Sequence, residues 1–118
     1  MRRLHLTPNM LEAGYDLLRM TPPFNRWKLP AGEDVEFHVV RHIPGAWADH
    51  RQMSNGRHRI RLTSDPSMSL DTMLQNIAHE MVHVYEAERK EKASVHNKVF
   101  WERASRICNI HHWHIGRF

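Results

Sequence analysis

The chain is almost without cysteine. Cys108 is the only one among 118 residues, so no intramolecular disulfide can form and a Cys-rich zinc ribbon is excluded. Its neighbours read as helix, and a buried thiol is the expectation. Long apolar runs are absent as well, since no stretch approaches the ~18 residues that a membrane span needs. The N-terminal MRRLHLTPNMLEAGYDLL carries two arginines but no apolar h-region or small-residue cleavage site, which points to a cytoplasmic protein. No internal repeat or low-complexity segment interrupts the chain. At 41% hydrophobic and 25% charged residues it reads as one ordinary globular domain spanning 1–118.

The net charge is +4 with histidine counted neutral, which permits nucleic-acid contact without requiring it. Arg51, Arg57, Arg59 and Arg61 cluster together with His50 and His58. A basic strand pair of this kind can follow phosphates, and a solvated hairpin face is the plainer alternative.

Local patterns give the order of elements. Apolar positions at Met10, Leu11, Leu17 and Leu18 predict a helix over 8–19 that stops before Thr21-Pro22-Pro23. An ordered loop follows to Asp34, pinned by Phe24, Trp27 and Leu29. Val35 to Arg41 alternates as a strand, and Pro44-Gly45 makes a turn. Residues 46–53 and 57–63 flank Ser54-Asn55-Gly56, a hairpin signal, with Ile60 and Leu62 on one face and the arginines on the other. Ser67 or Ser69 caps a second helix whose apolar stripe runs through Leu70, Leu74, Ile77, Met81 and Val84. It fades in the charged stretch 86–92. A last helix over about 97–110 presents Val99, Phe100, Ala104, Ile107 and Ile110 inward. The fold class is α+β: a small three-stranded antiparallel sheet packed on an N-terminal helix and two further helices.

The second helix contains His79-Glu80-Met81-Val82-His83. Two histidines at i and i+4 can chelate one zinc ion, and the intervening glutamate can act as general base for water. At about 100° per residue the stripe centres near Leu70, so His79 and His83 turn the opposite way, towards a cleft. A chain this rich in histidine (11 residues) is expected to contain the pattern by chance about 0.07 times. A catalytic zinc needs a third protein ligand. No aspartate follows His83. His96, on the inner side of the last helix, is favoured, and Glu102 is the rival. His111-His112-Trp113-His114 reads as a frayed tail that collects metal adventitiously, and Tyr85 as a packing residue.

The hairpin ending Ile60-Arg61-Leu62-Thr63, the HEMVH helix and His96 followed by Phe100 together resemble the SprT-like zinc metalloproteases. These include the Spartan proteases, which degrade proteins crosslinked to DNA. The similarity covers roughly residues 46–110. It implies a zincin-like fold, one catalytic Zn2+ on His79, His83 and His96, Glu80 as the catalytic residue, and a protein or peptide substrate. Asn97 stands where that family often has glycine, and the zinc ribbon that often follows the protease domain is absent. Any contact with DNA therefore falls to the basic hairpin or to a partner. Two alternatives remain open: a nucleic-acid-binding module with a structural or vestigial zinc site, and a hydrolase of a non-peptide bond.

Overall fold

The computed structural model describes residues 5–65, 67–91 and 96–118. Arg2 and Arg3, and the end of the charged break before His96, lie outside the described residues. Helix α1 spans Pro8–Arg19. Thr7 caps it, its hydroxyl accepting from the Met10 amide at 3.2 Å, and Pro8 occupies the first turn, where its missing N–H is harmless. Leu11, Gly14, Tyr15 and Leu18 face inward, whereas Leu17 is exposed. At Gly14 a Cβ would stand 3.2 Å from side-chain atoms of Met73, Leu74 and Ile77. The missing side chain therefore lets α1 lie close against the second helix.

The loop after α1 is held as the sequence predicts. Phe24 and Leu29 are buried, and Trp27 stacks on Tyr85 with ring centroids 4.3 Å apart. The Tyr15 hydroxyl donates to the Pro30 carbonyl at 2.7 Å, tying the loop to α1.

Three strands follow: β1 (Glu36–Val40), β2 (Ala48–Gln52) and β3 (His58–Thr63), in the order β1-β3-β2. The β2–β3 pair is the antiparallel hairpin that Asn55-Gly56 announces, with Gly56 at φ +85° closing the turn. The wholly antiparallel sheet expected from sequence is corrected by the other pair: β1 runs parallel to β3. The chain leaves β1, turns at Pro44-Gly45, and enters the sheet again at its far side as β2. The hairpin then brings β3 back between them, along β1 in the same sense. The alternation that marks β1 as a strand contains no information on its direction.

Helix α2 spans Leu70–Glu88 and is capped by Ser69, whose Oγ accepts from the Thr72 amide. Helix α3 spans Lys98–His111, with Asn97 as its cap. The single apolar stripe read along α2 is only partly right. Leu70 is 55% exposed, while Met73, Ile77, Ala78, Met81, Val82 and Val84 are buried. The helix is walled on two sides, by the sheet and by α1 and α3. On α3, Val99 and Ile110 are exposed, and Cys108 is buried as expected.

The ends of α2 and α3 that flank His96 are clasped by charge. Glu91 accepts from both terminal nitrogens of Arg103, at 2.8 and 2.9 Å, and from Arg89 at 2.8 Å. These hydrogen bonds, led by those from Arg103, hold its carboxyl down at about 2 from an ordinary 4.5. A depressed carboxyl stabilises the fold fully above its unfolded pKa and loses that contribution as pH falls towards the folded one. Thermal melts should therefore show Glu91→Gln about 2–5 °C less stable than the parent at pH 7. That deficit should narrow as pH falls from about 4.5 towards 2; a deficit independent of pH would show that the charge is not its cause.

Candidate metal centre

On the side of α2 that faces β2 the helix presents His79, Glu80 and His83. They line a cleft of about 870 Å³ whose other side is formed by residues 46–52, with Glu86, His96 and Phe118 completing it. His96 comes from the turn before α3, in the left-handed region at φ +49°, a conformation that carries its ring back over α2. Its Nε2 lies 3.1 Å from Nε2 of His79. One ligand nitrogen from each of His79, His83 and His96 falls within 4.8 Å of the others. Tetrahedral zinc–nitrogen bonds of about 2.0–2.1 Å put ligand nitrogens roughly 3.3 Å apart. The trio therefore fits a small divalent ion with modest adjustment.

The backs of the two helical rings are already engaged. His83 donates from Nδ1 to Glu86 Oε1 at 2.8 Å, and Glu86 is itself buried on the same helix. His79 donates from Nδ1 to the main-chain carbonyl of Phe118. With Nδ1 carrying the proton, Nε2 keeps its lone pair for a metal, and each ring is fixed in orientation. Burial, the largest influence, pushes His79 down to about 4 and lowers His96 as well, so these two are neutral near pH 7, the form that ligates.

Glu80 follows His79 and is buried at the cleft wall. Burial, with a smaller contribution from Asp49, raises its carboxyl to about 8 in the metal-free chain. A divalent cation beside it favours the carboxylate and acts against this shift. His50, on β2, also lines the cleft. Burial, followed by the neighbouring His58 and His83, pushes it down to about 3.

The remaining sequence candidates divide. Glu102 is exposed on α3 and outside the ligand cluster. Tyr85 packs between Trp27 and the guanidinium groups of Arg89 and Arg103, as expected of a packing residue. Among the arginines, Arg61 is paired with Asp49, and Arg57 donates to the Asp34 carbonyl at 3.2 Å. Arg51 and Arg59 face each other across the hairpin. The sheet's outer face is therefore mixed in charge.

The frayed-tail expectation is corrected. His111 hydrogen-bonds the Pro22 carbonyl, and Trp113 stacks on His111 and donates from Nε1 to Asp71 at 2.9 Å. A short turn at Ile115–Arg117 then delivers Phe118 to His79 and Phe100. Sequence reasoning missed Glu86 and Phe118. The first is legible as His83 plus three on one helix face; the second acts through its backbone and leaves no side-chain signal.

No protein-family model, curated protein or solved structure matches this chain.

Chelator-competition titration should find that Glu86→Ala weakens zinc binding by about 10- to 100-fold. Glu102→Ala should leave it unchanged. An unaltered affinity in Glu86→Ala would remove the carboxylate from the metal centre.

Proposed function

We propose that this chain is a zinc-dependent metallopeptidase of zincin-like build, in keeping with its resemblance to SprT-like proteases. The observation that carries this reading is the convergence of three imidazoles, two with their Nδ1 hydrogens already engaged, beside a buried glutamate at the wall of an open cleft. A structural ion needs no such glutamate, and an apolar residue would pack the position with less desolvation.

His79, His83 and His96 hold the ion. Zinc bound there supplies Lewis acidity, which polarises a carbonyl and makes water a competent nucleophile near neutral pH. Glu80 takes the proton from the attacking water and passes it to the leaving amine nitrogen as the C–N bond breaks. The substrate's extended backbone lies along β2. Among the described residues this strand pairs only with β3, which leaves one row of its main-chain N–H and C=O groups to pair with an added strand.

A DNA-associated protein as substrate rests on Arg51 and Arg59, which stand together on the outer face of the hairpin. The competing reading is a nucleic-acid-binding module in which the same histidines hold a structural ion. In it the arginines are essential and Glu80 is idle.

The discriminating variant is Glu80→Gln. Metal analysis should find one zinc per chain retained, while cleavage of unfolded casein falls by about 10²-fold or more. Undiminished cleavage would remove Glu80 from the chemistry. A parent protein that binds zinc and DNA, with Glu80→Gln indistinguishable from it, would favour the nucleic-acid reading.

A further inference from the structure

The sheet face that packs on α2 is apolar along β3 at Ile60 and Leu62, and the same alternation brings His58 onto it, 2% exposed. An aliphatic side chain would continue that stripe without taking a polar group out of water. His58 is instead hydrogen-bonded through both ring nitrogens. Its Nε2 lies 3.0 Å from Glu88 Oε2 at the end of α2, and its Nδ1 lies 2.9 Å from Nε2 of His50 on β2.

The hydrogens of this relay follow from its acidic end. The Glu88 carboxylate can only accept, so His58 donates from Nε2. With its one ring hydrogen committed to Glu88, His58 accepts at Nδ1, and His50 donates from Nε2. His50 is left with a lone pair on Nδ1, and no described residue hydrogen-bonds it there. The ring itself lines the cleft, lying within 13° of parallel to His83 with centroids 6.4 Å apart. It also sits midway along β2, the strand with the free edge.

We infer that His50 is a substrate-binding residue: it accepts an N–H from a polypeptide laid along β2, with His58 and Glu88 as positioning residues that fix its ring and tautomer. This rests on the peptidase reading for the nature of the ligand. A neutral acceptor at the cleft wall suits an amide donor and repels a carboxylate or phosphate oxygen, which brings only lone pairs to it. The two positioning residues matter only through His50. A histidine satisfied purely within the core would leave ligand affinity indifferent to its loss.

The test uses the full chain, zinc-loaded and carrying Glu80→Gln to prevent turnover, with fluorescein-labelled unfolded casein as the probe. Fluorescence anisotropy should show His50→Phe raising the dissociation constant by about three- to tenfold, with zinc stoichiometry unchanged. His50→Asn, whose amide oxygen reaches close to the Nδ1 position, should stay within about twofold of the parent. His58→Phe should weaken binding when His50 is present and add nothing once His50 is Phe, the non-additivity expected of residues acting through one group. An unchanged dissociation constant in His50→Phe alongside a lowered melting temperature would overturn the inference and make the relay a packing device. So would a parent that fails to bind casein. The peptidase reading is judged apart, by cleavage of the same casein with Glu80 in place. Absent cleavage with binding that still depends on His50 would reject hydrolysis and leave this inference standing.

Discussion

An imidazole that commits its Nδ1 hydrogen to a fixed acceptor has only Nε2 left for a metal, and both helical histidines of this protein are in that position. Glu86 holds His83 from one turn further along α2, and the Phe118 carbonyl holds His79 from the far end of the described chain. These two hydrogen bonds set the tautomer and aim both rings at one point. Rings free to rotate would share the same helix spacing and meet the same ion far less often in the right geometry. The rest of the fold can be understood as what brings those acceptors and the third ring into place.

Helix α2 lies against the sheet on one side and against α1 and α3 on the other, with Gly14 allowing the close approach of α1. The side of α2 facing β2 carries His79, Glu80 and His83 to the cleft. The bidentate ion pair between Glu91 and Arg103 joins the end of α2 to α3, and His96 stands between the two helices in a left-handed turn. The third ring is thus carried by the junction rather than by either helix face. The tail returns along the N-terminal half of α2, fastened by Trp113 to Asp71, and that return is what supplies the Phe118 carbonyl. The three-histidine cluster and the tertiary packing are therefore one problem: displacing α3 or the tail removes one of its rings or the orientation of one.

Much of this was legible because it is local. Helical spacing marked His79, Glu80 and His83; Asn55-Gly56 marked the hairpin; Thr7, Ser69 and Asn97 mark the helix starts through their capping side chains. His96 was reachable because it precedes the inner stripe of α3. What escaped depends on contacts distant in sequence. The direction of β1 is decided by where β3 returns, and nothing within 35–41 encodes it. Leu70, Val99 and Ile110 look like core by periodicity yet are exposed, near the ends of their helices. The tail looked loose because its anchors, Pro22 and Asp71, lie 89 and 42 positions from their partners. His50 and His58 looked like members of a basic cluster until the hairpin pairing set them on the inner face, opposite Arg59 and Arg61.

Zinc K-edge X-ray absorption on the full chain loaded with one equivalent of zinc counts the imidazoles on the ion, and the His96→Ala variant ties one of them to a residue. Three imidazole nitrogens at about 2.0–2.1 Å are expected, with a light oxygen ligand completing the shell and one imidazole lost in His96→Ala. Two imidazoles or fewer in the parent, or a spectrum that His96→Ala leaves unchanged, would contradict the three-histidine centre on which the rest depends.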